Sequence, residues 1–130
     1  MVVYNGIRCI EGILFIKPRI KFANNEEEYK KLLENQAYID AMKARKFGIN
    51  CNDALEDDAV SREITREDIL KLIEYLISGK YKALVIEDIY DITTNLEDLQ
   101  NFIDTVQSSG IVILDLRAMT LRFNNYDEEC

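Results

Sequence analysis

The chain has 130 residues, 48% of them apolar, a net charge of −8 and no histidine. That length fits one domain built on a single core. The lack of histidine excludes Ser-His-Asp and Cys-His catalysis and every histidine-ligated metal site. The three cysteines, Cys9, Cys51 and Cys130, are widely spaced and form no C-x-x-C pair, so neither a disulfide framework nor a zinc site is indicated. No apolar run approaches a membrane span. The opening MVVYNGIRCIEG lacks the basic start, apolar middle and small-residue cleavage site of a signal peptide. The expected compartment is a reducing cytoplasm.

In chain order, Val2-Val3-Tyr4, Asn5-Gly6 and Ile7 to Ile10 read as a hairpin, because Asn-Gly supplies the positive φ angles of a tight two-residue turn. GILFIK is a short buried strand that Pro18 ends, since proline cannot donate to a ladder. Asn24 or Asn25 caps a helix from Glu26. Three glutamates lie at its positive end, Lys43, Arg45 and Lys46 lie in its last turn, and Gly48 closes it. Its expected apolar stripe is Tyr29, Leu32, Leu33, Ala37 and Met42. Ile49-Asn50-Cys51 is a short second strand, and residues 52–64, polar and acidic, read as a loop with a solvated Glu56-Asp57-Asp58 turn.

Thr65-Arg66-Glu67-Asp68 resembles a capping box. Ile69, Leu70, Leu72, Ile73, Leu76 and Ile77 follow at helical spacing until Gly79. Tyr81 to Ile86 reads as a strand. Thr94 or Asn95 caps a third helix with the stripe Leu96, Leu99, Phe102, Ile103 and Val106, which Gly110 ends. IVILDL is another strand, RAMTLRF an edge strand, and residues 124–130 a frayed acidic tail. Strands alternating with helices predict an α/β fold: three layers, a mostly parallel sheet with helices on both faces, flavodoxin-like in topology. Sites in such sheets form past the carboxyl ends of the strands. That singles out the segment after GILFIK, the acidic loop at 52–64, and VIEDIYDITTN at 85–95. There is no Gly-rich phosphate loop of the G-x-G-x-x-G or Walker kind.

The element order and several phrases resemble the catalytic domain of the serine recombinases (resolvases and DNA invertases) over roughly residues 12–120. The family's Y-x-R-x-S pattern, whose serine attacks a DNA phosphodiester, corresponds to Phe15-Ile16-Lys17-Pro18-Arg19. Its S-L-x-N-Q phrase corresponds to Leu32-Leu33-Glu34-Asn35-Gln36. Its D-x-x-x-S-G loop corresponds to Asp57-Asp58-Ala59-Val60-Ser61-Arg62, with the following arginine at Arg66. Its D-R-L-x-R-N phrase, counted from Gly79, falls on Tyr90-Asp91-Ile92-Thr93-Thr94-Asn95, and GIVIL follows in both.

The resemblance implies a recombinase-like frame with unsuitable chemistry. Phosphoryl transfer needs a nucleophile and positive groups where charge develops. Arg19 stands at the serine position, and Lys17 keeps a charge but loses the arginine fork. Asp91 and Thr94 replace two arginines, and Arg62 replaces the glycine after Ser61. Arg66 alone matches a family arginine outright. Pro18 removes a backbone donor at the nucleophile turn. In the family a long dimerisation helix and a DNA-binding domain follow the core, whereas here only NNYDEEC follows RAMTLRF.

Three readings stay open at this point. The first is a degenerate member that does not cleave DNA and acts by binding or regulation, pairing with itself as a homo-oligomer or with an active relative. It implies no cofactor and no membrane partner. The second is a metal-dependent phosphotransfer or hydrolase domain, with Glu87, Asp88 and Asp91 holding Mg²⁺, helped by Asp57 or Asp58. The bland alternative is that Glu87 and Asp88 are solvated strand-end residues and that Asp91 pairs with Arg66 or Arg62. The third is DNA binding through a local patch of Arg8, Lys17, Arg19, Lys21 and Arg122, against the overall acidity. Tyr90 is expected to pack half-buried, and Cys51 to be a small core residue.

Overall fold

The computed structural model describes residues 10–17, 24–56, 64–118 and 120–122. The elements are β1 (Ile10–Ile16), α1 (Glu26–Arg45), β2 (Ile49–Glu56), α2 (Arg66–Ser78), β3 (Ala83–Ile86), a 3-10 turn (Ile89–Asp91), α3 (Leu96–Ser108), β4 (Val112–Asp115) and β5 (Thr120–Arg122). One sheet takes the order β2-β1-β3-β4-β5. The first four strands run parallel, and β5 pairs antiparallel with β4 at the edge. This is the flavodoxin-like order, with its switch point between β1 and β3.

The strands bury both faces. Ile13, Phe15, Leu84, Ile86 and Ile113 point toward α2 and α3, where they meet Leu72, Leu76, Phe102 and Val106. Leu14, Ile16, Val85 and Leu114 point the other way, with Ala44, Leu33, Ala37 and Ala41 of α1. The result is the expected three layers. Gly12 lies where β1 passes between its neighbours: a Cβ there would overlap Ile49 Cγ2 and come within 3.3 Å of Ala83 Cβ.

The helices start where their caps predict. Asn25 accepts from the Glu28 N–H (2.8 Å), Thr65 from Asp68 (3.1 Å) and Asn95 from Asp98 (3.0 Å). Gly48 and Gly110 close α1 and α3 at φ 78° and 86°, a region that disfavours other residues.

Several expectations are corrected. The strand at Ile49-Asn50-Cys51 continues to Glu56, so residues 52–56 are not loop. Cys51 pairs with Gly12 but Asp53 pairs with Ile13, which leaves Asn52 as an extra residue in β2. This bulge shifts the alternation by one. Ile49 and Cys51 face α1, whereas Leu55 packs with the α2–α3 core. Strand β3 starts at Ala83 rather than Tyr81. On α1 the packed stripe is Leu33, Ala37, Ala41 and Ala44, while Leu32 and Met42 are exposed. Leu70, Ile77 and Leu96 are likewise exposed, and Tyr90 is more than half exposed rather than packed. RAMTLRF does supply the edge strand, and Ile10 and Glu11 already belong to β1. The hairpin at 2–10 otherwise lies outside the described residues, as do Arg19, Asp57, Asp58, Ser61, Arg62 and the tail.

Candidate functional site at the carboxyl ends of the strands

Strand β3 ends at Ile86, and the acids that follow are each held in place. Gln36, on α1, donates its amide to both Glu87 oxygens at 3.0 Å. Asp88 caps the 3-10 turn by accepting from the Tyr90 N–H (3.0 Å), and its other oxygen accepts from Arg117 at 2.7 Å. Asp115, buried at the end of β4, binds two loops at once. One oxygen accepts from the Ile89 N–H (3.4 Å), the other from the Arg117 and Ala118 N–H groups (3.0 and 3.3 Å). Backbone bonds from Leu116 to Ile86 and from Arg117 to Glu87, both 2.8 Å, complete the junction.

These side chains rim a cavity of about 380 Å³ lined by Asp40, Lys43, Glu87, Asp88, Leu116 and Arg117. Among the described residues its lining carries three acids and two bases, and one of the bases, Arg117, is paired with Asp88. Asp40, on α1, is 4% exposed. Sequence reasoning passed over Gln36 as a site residue, and over Asp40, Asp115 and Arg117 altogether. The usable signal was the acid closing the apolar run IVILD, at the same strand-end position as Glu87.

The structure separates several sequence candidates. Lys17 follows β1 directly and is half-buried. Asp91 is 8% exposed in the 3-10 turn, and Thr94 lies exposed just before α3. Arg66 turns toward α3, where it binds Asp98 at 3.2 Å, while Arg62, the other expected partner of Asp91, lies outside the described residues. Arg66 lines a small groove with Ile69, Leu70, Ile73 and Phe102 on the opposite face of the sheet from α1. Arg122 pairs with Ile113 at the amino half of β4, whereas Lys17 lies past the carboxyl end of β1, three strands away. Glu87, Asp88 and Asp91 do not assemble a metal centre either: no group of three or more potential ligands forms among the described residues.

Two further groups have shifted proton affinity. The Tyr81 phenol donates to Asp53 at 2.5 Å, which raises its pKa well above the usual tyrosine value, with burial and neighbouring Tyr75 adding to the shift. The Cys51 thiol is pushed up to about 11, by burial first and by the Glu11 carboxylate second.

No protein-family model matches the sequence, and no curated protein matches it significantly. Solved structures do. The N-terminal catalytic domain of TP901-1 integrase aligns with TM-score 0.55 and 12% identity, over 85% of this chain and 80% of that one. The C-terminal catalytic domain of ISC1926 TnpA, an IS607-like serine recombinase, aligns at 0.55 and 13%, over 82% and 69%. A resolvase family site-specific recombinase from Streptococcus pneumoniae aligns at 0.61 and 16%, over 86% and 75%. The fold is that of the serine recombinase catalytic domains. In this recombinase fold the cavity and its acids sit past the ends of β3 and β4, beside the β1–β3 switch point where α/β sheets place their ligands. No described helix is long and apolar enough to cross a membrane.

Proposed function

We propose that this recombinase-fold domain does not cleave DNA and acts by binding, as a partner of its own kind or of an active relative. The observation that carries the reading is Asp91. It falls where the resembling family places an arginine, and it is a buried carboxylate that closes the 3-10 turn after β3. Losing one preorganised donor at a developing oxyanion costs about 10²–10³ in rate. Arg66, the one outright match, is engaged with Asp98. Arg19 at the serine position and Pro18 beside it agree with the loss of a nucleophile turn.

The metal-dependent alternative has nothing to favour it. Glu87 is bound by Gln36 and Asp88 by Arg117, so each acid already has a protein partner.

The test is incubation of the full chain with supercoiled plasmid and with a random-sequence duplex library, followed by denaturing gels and mass spectrometry. The expected result is no nicking and no protein–DNA adduct. A phosphoserine linkage to DNA, at Ser61 or elsewhere, overturns the proposal. DNA binding without cleavage is read separately from retention on duplex DNA across salt concentrations, since phosphate contacts weaken steeply with salt.

A further inference from the structure

Helix α1 has two apolar faces. One packs on the sheet through Leu33, Ala37, Ala41 and Ala44. The other carries Leu32, Tyr38, Ile39 and Met42, which are 39%, 64%, 47% and 46% exposed. At 100° per residue these four fall within one arc of about 120°, opposite the packed stripe. Single exposed apolar residues are ordinary, but four large ones side by side on one helix mark a contact surface. Tyrosine and methionine are also enriched at the centres of protein interfaces.

The charges on α1 name the occupant. Its first turn is acidic, with Glu26, Glu27 and Glu28, and its last turn is basic, with Lys43 and Arg45, followed by Lys46 at the cap. The outward stripe thus runs from Glu28 at one end to Lys46 at the other. A second α1 laid antiparallel across it places acid against base at both ends, as a two-fold axis requires. With Leu32 set opposite Met42, Asn35 falls opposite Ile39 and Glu28 opposite Lys46, each contact occurring twice. A parallel pairing would set like charges together at both ends. Lys31, also within the arc, is flanked on its own helix by Glu27 and Glu34 at helical contact spacing.

We infer that the outward face of α1 is a self-complementary interface, on which a second copy of this chain docks with its α1 antiparallel. This deepens the self-pairing branch of the proposed function, although the surface itself rests on α1 alone. The helix is about 30 Å long, enough for the stripe and both charged ends to meet in one contact.

Sedimentation equilibrium of the full chain up to about 0.5 mM tests it. A monomer–dimer equilibrium is expected, weakened about tenfold or more by Ile39→Glu with Met42→Glu. Both positions are about half exposed, so circular dichroism and Tm should stay unchanged at dilutions where the parent chain is monomeric. Glu28→Lys and Lys46→Glu should each weaken the dimer, and the double charge swap should restore it. Leu70→Glu, an exposed position on α2, should have no effect. A strictly monomeric chain overturns the inference, as does a dimer that Leu70→Glu breaks and the α1 variants do not. A dimer that forms DNA adducts would defeat the proposed function alone, and an adduct-free monomer would defeat this interface alone.

Discussion

Gln36 and Glu87, 51 positions apart, are joined by one amide that donates to both carboxylate oxygens at 3.0 Å. The contact ties the middle of α1 to the first residue after β3, at the rim of the strand-end cavity. Gln36→Ala should lower stability by about 1 kcal/mol, because a half-buried carboxylate loses a donor. A double-mutant cycle with Glu87→Ala, read from urea midpoints, should return a coupling of about 0.5–1.5 kcal/mol. Additive effects would show that the contact contributes nothing.

Gly12 should resist enlargement. A methyl there overlaps Ile49 Cγ2 and crowds Ala83 in the middle of the sheet. Gly12→Ala should cost about 1–3 kcal/mol through overpacking. Adding Ile49→Val, which trims the side chain, should not restore the loss, because the clashing Cγ2 position stays occupied in valine. Ile49→Ala removes Cγ2 at its own cost of about 2–5 kcal/mol for the buried side chain, and Gly12→Ala should cost less in that background than alone. Thermal unfolding of the single and double variants, read as a double-mutant cycle, checks this.

Tyr81 should titrate late, well above the usual tyrosine range. The bond to Asp53 favours the protonated phenol, so its folded pKa lies above the unfolded value. The associated stability is therefore fully present below the unfolded tyrosine pKa and is lost as pH rises above it. Absorbance titration at alkaline pH should show one late phenolate that Tyr81→Phe removes. Tyr81→Phe should also flatten the alkaline loss of stability. An unchanged late step in that variant would assign it elsewhere.

Cys51 should be a slow thiol. With its pKa at about 11 rather than 9.0, little thiolate exists at neutral pH. Below 9.0 the thiol is protonated in both the folded and the unfolded chain, so it adds no pH dependence. Between 9.0 and about 11 the unfolded chain releases its proton first, and stability falls as pH rises. Peptide-level mass spectrometry after iodoacetamide pulses should show Cys51 alkylated more slowly than an unfolded-chain control at pH 8, with the gap narrowing toward pH 11. Glu11→Gln should speed the reaction by removing the second cause.

The helices were legible because their signals are local. Asn25, Thr65 and Asn95 cap through bonds spanning three residues, and the apolar runs after them have a helical period. The same holds for β3 and for β4 as far as Leu114, whose apolar runs suit strands buried on both faces. Strand β2 was missed beyond Cys51 because Asn52 interrupts its alternation, and because an edge strand tolerates Asn, Asp and Glu on its open side. The α1 stripe was misread because that helix is apolar on two faces, so periodicity alone does not say which one meets the sheet.

The sequence by itself determined the α/β class, the caps and the recombinase resemblance, since each depends on residue type and short spacing. Only the tertiary structure decided where the acids point. Gln36, Glu87, Asp88, Asp115 and Arg117 come from three elements distant in the chain, and Arg66 found Asp98 rather than Asp91. A side chain's electrostatic partner is whatever the packed layers bring within a few ångströms, and sequence distance carries no information about that. VIEDIYDITTN is acidic on paper; in the fold, Glu87 and Asp88 hold the loops together through partners the sequence places far away.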